Sequence, residues 1–131
     1  MKRVLIPLLV SLATASVAET SLRDEKQIND GLIAVAVADA IRKNCGDISP
    51  RYFRAISYMS SLKRQAGKLG YSAAEIKEFV GNDTDKARVA AAAQEYLVGH
   101  GVSAGDSASY CAAGRGEIAA GSTSGRLLRA K

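Results

Sequence analysis

Apolar residues recur every three or four positions through most of the chain, and glycines and capping residues cut that rhythm into segments. The run Ile28 to Cys45, INDGLIAVAVADAIRKNC, has no proline and one early glycine. Ile28, Leu32, Val35 and Ala36 fall at helical spacing. Leu32 to Ala38 is apolar all round, as in a helix covered on every side. A short buried strand shares that local pattern. The continuation through Ala40 and Ile41 into Arg42-Lys43-Asn44 decides for a helix, because basic residues suit the negative end of the helix dipole. Gly46 follows as a stop.

Four further helices are expected. In ISPRYF, Ser49 reads as a cap, Pro50 as the first helical residue, and Ile48 with Phe53 as a hydrophobic staple. Tyr52, Ile56, Met59, Leu62, Ala66 and Leu69 then line one face, and Gly70 ends the helix. A short third helix opens with Ser72 and Glu75 as a capping box and Tyr71 with Ile76 as a second staple, and it ends at Gly81. The acidic NDTD run caps a fourth, alanine-rich helix that His100 and Gly101 close. A fifth is read from about Ser107 to Gly121, weakened by Gly114 and Gly116. Leu127 and Leu128 remain as an apolar latch, and no segment alternates convincingly as a strand. The class is all-α, a bundle of about five helices.

The first eighteen residues stand apart. Met1-Lys2-Arg3 is a short positive start, Val4 to Leu12 is apolar, and Ser16 and Ala18 supply small residues before Glu19. This is the three-part pattern of a secretory signal cut after Ala18. Its apolar run is too short for the roughly 20 residues of a membrane-spanning helix. The expected organisation is a signal peptide over 1–18 and one helical domain over 19–131, placed in a bacterial periplasm or outside the cell.

Export changes the meaning of the two cysteines. In an oxidising compartment Cys45 and Cys111 are expected to pair, closing a loop of roughly 65 residues. Structural zinc needs four ligands, and beyond these cysteines the chain offers one histidine, so no metal is expected. Ala113 and Gly114 beside Cys111 leave room for a close helix–helix approach. No cofactor is expected either. Gly114 to Ala119 and Gly99 to Ala104 both fit G-x-G-x-x-A, but neither follows a strand, as a dinucleotide fold requires.

The formal net charge of +5 falls once Lys2 and Arg3 leave with the signal. That mild excess, with export, excludes nucleic acid as a partner. One surface stands out. The second helix carries Arg51, Arg54, Lys63, Arg64 and Lys68 with no acidic residue. Arg51, Arg54, Arg64 and Lys68 are the candidate surface for an anionic partner, either headgroups or an acidic protein patch. Glu75, Glu78, Asp83 and Asp85 follow closely enough to neutralise it internally. Asp39, with Arg42 and Lys43 three and four residues on, reads as an ordinary ion pair. His100, within GHG at a helix end, reads as a C-terminal capping residue and gives no serine a base.

The pieces LRDEKQINDGLIAVAVADAIRKNC, ISPRYFRAISYMSSLKRQAGKLGYS, YLVGHGV and SYCAAGRGEIAAGSTSGRLLR together resemble a family of short secreted alphaproteobacterial proteins carrying a domain of unknown function. The resemblance is carried by the two cysteines, the IRKNC end, the LGYS turn and the glycine-rich ending. It implies an exported helical domain without assigned activity or functional residues. With no catalytic constellation, the expectation is a non-enzymatic periplasmic interaction or inhibitor-type module that binds a protein or an anionic envelope component. A small envelope stress chaperone is the second reading, by analogy with other compact helical periplasmic proteins that hold one disulfide.

Overall fold

The computed structural model describes residues 21–131. The expected signal peptide and its cut lie outside the described residues. A 3-10 turn (Leu22–Asp24) leads into α1 (Lys26–Asn44), followed by β1 (Ile48–Pro50), α2 (Tyr52–Lys68), α3 (Ala73–Gly81), α4 (Asp83–Gly99), α5 (Ser107–Ala120), α6 (Thr123–Arg126) and β2 (Leu128–Ala130). The protein is mostly helical, as expected, with one more short helix and a small sheet added. No helix among the described residues is long and apolar enough to cross a membrane.

The all-round apolar pattern of α1 reflects its central position. It packs on α4, α5, α6, β1 and α2. Val37, Ala38 and Ile41 are buried with Leu97 of α4, Cys111 of α5 and Leu127 and Leu128 of the tail in the main core. A second, smaller cluster joins Leu22, Ile28, Leu62 and Ala66. The two helices of that cluster approach closely at Gly31, where a Cβ would lie 2.6 Å from Leu62 Cδ2 and 2.9 Å from the Tyr58 hydroxyl. α1 ends at Asn44, and Cys45 after it turns to extended backbone and forms the disulfide with Cys111 at a Cα–Cα separation of 5.2 Å. The expected pairing is therefore present, and it fastens the end of α1 to the start of α5.

The reading of Ser49 and Pro50 as a helix start is corrected. These residues form β1, paired antiparallel with β2 in the register Ile48↔Ala130, Ser49↔Arg129 and Pro50↔Leu128. A residue before proline favours extended backbone, and proline is tolerated at a sheet edge because it has no N–H to leave unpaired. The same dipeptide thus fits both a helix start and an edge strand. The C-terminal segment decides between them, with the Arg51 N–H donating to the Leu127 carbonyl at 2.7 Å. α2 starts two residues later than expected. The Ile48–Phe53 staple does not form: Ile48 is buried in the main core, whereas Phe53 is 90% exposed.

The other local signals hold. Glu75 N–H donates to Ser72 Oγ at 3.1 Å and the Glu75 carboxylate accepts from Ser72 N–H at 3.3 Å, completing the capping box of α3. Asn82 caps α4 through Asp85 N–H at 2.9 Å. Tyr71 and Ile76, the residues of the expected second staple, each pack against the second cluster. α5 runs through its glycines but stops at Ala120, because Gly121 adopts φ +62°. Gly121 and Gly125 therefore do not share one helix. Instead α6 folds back so that Gly125 lies against the carbonyl of Glu117. Leu127 and Leu128 are both buried, as a latch requires.

Candidate interaction surface

α2 is the least covered of the long helices. Only Leu62 and Ala66 are buried, on the side facing α1. Of the expected apolar face, Met59 is partly covered, but Tyr52, Ile56 and Leu69 stand 65%, 64% and 54% exposed. The amphipathic pattern is genuine, yet the chain supplies a partner only for its inner edge. Beside the uncovered apolar side chains lie the cations.

Arg51 and Arg54 are partly committed. Arg51 Nε donates to the Leu128 carbonyl at 3.0 Å, and Arg54 Nη1 to the Arg126 carbonyl at 3.3 Å. Both therefore help to hold the C-terminal segment, a role the sequence did not disclose. The side chains of Lys63, Arg64 and Lys68 make no hydrogen bond or ion pair within the described residues. The anticipated internal neutralisation is not formed. Glu75 is turned to its own helix cap, and Asp85 to Arg23 and Arg88.

A groove of about 260 Å³ opens between α2, α3 and α4, with α1 as its floor. Leu32, Val35 and Ala36 of α1 and Met59 of α2 make it apolar, and Phe79, Val80, Val89 and Ala90 complete it. Asp39 closes one end. Burial works against its charge, but hydrogen bonds from Lys43 and Arg42 outweigh that and hold it below the usual carboxylate range. Both contacts are 2.6 Å, so the expected ion pair is present.

Asp85 closes the other end in a polar network that ties the N-terminal turn to α4. Its side chain is 8% exposed. Arg23 donates to both of its oxygens, at 2.8 and 3.2 Å, and Arg88 approaches at 3.4 Å. Arg88 also donates to Asn29 Oδ1 at 2.8 Å, while Asn29 Nδ2 serves the Leu22, Arg23 and Glu25 carbonyls. The Arg23 hydrogen bond, helped by its charge and by Arg88, lowers the Asp85 pKa despite burial. A lowered folded pKa means stability that is present above the ordinary carboxylate value and lost as pH falls through the folded one. Asp85→Asn should therefore cost about 1 kcal/mol at neutral pH, a modest figure because both arginines keep contact with water. Urea melts of the two proteins should converge as pH drops below about 4, the ordinary Asp value. A gap that persists at lower pH would show that shape and not charge sets the cost.

A second pocket of about 310 Å³ lies between α1, α4 and the α5–α6 turn, where Glu117 is buried. Tyr96 donates its hydroxyl to Glu117 Oε1 at 2.7 Å, and Ser122 donates to Oε2. Holding that hydrogen bond to Glu117, with burial added, pushes the Tyr96 hydroxyl up to about 12. Both carboxylate oxygens are thus engaged in joining α4, α5 and α6. His100 lies outside this pocket. Its ring stacks on Tyr96 with centroids 4.1 Å apart, and its Nδ1 meets the Tyr96 carbonyl at 2.7 Å, the helix-end role read from its position.

A family of unknown function (DUF5333) matches over residues 20–129. Comparison with curated proteins and with solved structures gives no match.

Proposed function

We propose that this chain, which belongs to the DUF5333 family, is a non-enzymatic interaction module of the bacterial periplasm that holds its partner on α2. Export, and the alphaproteobacterial range that the family resemblance implies, belong to this reading. One observation carries it: α2 leaves Tyr52, Phe53 and Ile56 uncovered in its first turns and, further along, the side chains of Lys63, Arg64 and Lys68 without a partner among the described residues. Exposed apolar groups rimmed by charge mark a contact surface more often than a solvated face. The disulfide fits a protein built for an oxidising compartment.

The test is capture of the tagged protein's partner from its native envelope, repeated with Arg64→Ser/Lys68→Ser. Neither side chain supports the fold, so stability should be unchanged. Retention should fall several-fold at low salt, and the remaining binding should depend less on salt, because fewer charges are screened. Equal retention by both proteins at low salt would remove α2 from the reading.

The apolar groove favours a second reading, an envelope chaperone. Loss of the Asp85 charge in acid would loosen the N-terminal turn at one end of that groove. A chaperone of this kind would bind ANS near about pH 3, where carboxylates are protonated, and suppress client aggregation there. A chain that stays closed in acid and protects no client leaves the interaction module standing.

A further inference from the structure

We infer that the outer side of α2 and the C-terminal segment form one docking surface for an anionic phospholipid bilayer. This rests on the interaction-module reading and names the partner.

The small sheet assembles the surface. It sets Arg129 opposite Ser49, two residues before Arg51. Hydrogen bonds from Arg51 and Arg54 to the Leu128 and Arg126 carbonyls fix the segment against the first turn of α2. Arg126, Arg129 and Lys131, remote in sequence, thereby join Arg51 and Arg54 at one corner of the molecule. Lys131 is placed there by its own N–H, which donates to the Asp47 carbonyl at 2.9 Å. The Asp47 carboxylate faces Arg115 at 3.9 Å. The corner is therefore more basic than α2 alone.

Phe53 projects from this corner, 90% exposed, with Tyr52 and Ile56 also uncovered to one side of it. At 100° per residue, Phe53, Ser57, Ser60, Arg64 and Lys68 follow one another along the line of α2 opposite Leu62 and Ala66. That line is a convex ridge on a 17-residue helix, roughly 25 Å long. A folded acidic partner would need a long concave face to meet both ends. A bilayer needs no matching shape. It takes an aromatic side chain below its headgroups while long cationic side chains stay at the phosphates. Each cation near an anionic surface adds to the attraction, and the effect ends within a Debye length.

The experiment uses the chain from Glu19, which carries every residue of the described fold, with its disulfide formed. Flotation with phosphatidylglycerol vesicles should carry the protein, and flotation with phosphatidylcholine vesicles should not. Phe53→Ser should weaken binding roughly tenfold, from the apolar burial lost. Arg129→Ser/Lys131→Ser should weaken it roughly twenty-five-fold at low salt, at about fivefold per cation. Both changes fall on exposed side chains, and an unchanged urea midpoint checks that the fold is intact. The chain has no tryptophan, so Phe53→Trp gives a single reporter whose emission should shift to the blue only on the anionic vesicles. Equal binding to both vesicle types, or none to either, overturns the bilayer. If neither vesicle is bound but an acidic envelope protein is captured through Arg64 and Lys68, the interaction module survives and this inference fails. If nothing is bound in either experiment, both fall.

Discussion

Removing the Cys45–Cys111 link is expected to cost about 4 kcal/mol, the largest effect of any single change at the core. The cysteines are 66 residues apart, and in the chain-entropy model a link over such a span restricts the unfolded ensemble by about that amount. A domain of this size is usually stable by only ~5–15 kcal/mol, so the link accounts for a large share. The native side adds to the cost. Cys45 is fully covered and Cys111 nearly so, and Cys45→Ala/Cys111→Ala would leave a void where the end of α1 meets α5. Thermal unfolding with and without reductant should show a fall of roughly 20 °C, taking about 5 °C per kcal/mol for a domain near 100 residues. The denatured, unreduced protein should titrate no free thiol. A fall of only a few degrees would mean that the helix contacts alone hold the ends together. Two free thiols in material recovered from the periplasm would remove the link itself. If the effect is as large as expected, the fold depends on an oxidising compartment, which ties stability to the expected export.

What could be read from the sequence was what depends on near neighbours. The Ser72–Glu75 box, the Asn82 cap and the Asp39 ion pair each join residues three or four apart, and each is present. Ser49-Pro50 went the other way because its local signal fits two structures, and the pairing with Arg129 and Leu128 at the far end of the chain selects one of them. The stripe on α2 shows a related limit. Periodicity reveals an apolar face, but whether the same chain covers it depends on where α3 and α4 settle. The candidate surface was accordingly half legible. The charge run on α2 was visible, but that Arg64 and Lys68 find no acidic partner within the described residues was not, and the cations of the C-terminal segment reach Arg51 and Arg54 only through the sheet. The Asn29–Arg88–Asp85–Arg23 network gave no signal, since its partners lie 59 and 62 residues apart. Asp85 read as a cap residue, or as a counter-ion for α2, and it serves neither Arg64 nor Lys68. Glu117 also passed unmarked, because a lone glutamate within GRGEIA looks solvated until α6 folds over it.

That fold-back makes Gly125 the position where one methyl group should do most damage. A Cβ there would fall on the carbonyl of Glu117 and within 2.8 Å of Ile118 N. Both are backbone atoms at the end of α5, so no side-chain rotation can relieve the contact. The alternative is for α6 to lift. Lifting it would draw Leu127 and Leu128 from the core, unpair β2 from β1 and remove the carbonyls that Arg51 and Arg54 hold. Gly125→Ala should therefore cost about 3 kcal/mol, at the upper end for overpacking. Gly114 is the informative contrast. A Cβ there would meet Ile48 Cδ1, the far end of its side chain, and lie 2.7 Å from Ile41 Cγ2, a methyl on the branched Cβ. The Ile48 end has some freedom to turn while the Ile41 methyl has little, and against that contact alanine gains up to about 1 kcal/mol of helix propensity over glycine inside α5. Gly114→Ala should come out at about 1 kcal/mol or less, with only a larger group, as in Gly114→Leu, approaching the cost at Gly125. Urea melts of the three variants give the order directly. Hydrogen exchange adds the mechanism: in Gly125→Ala the Arg51 amide, which donates to Leu127, should lose protection while α4 keeps its own. If Gly125→Ala melts like wild type, α6 is not seated on α5 as described, and the basic corner loses the contact that builds it.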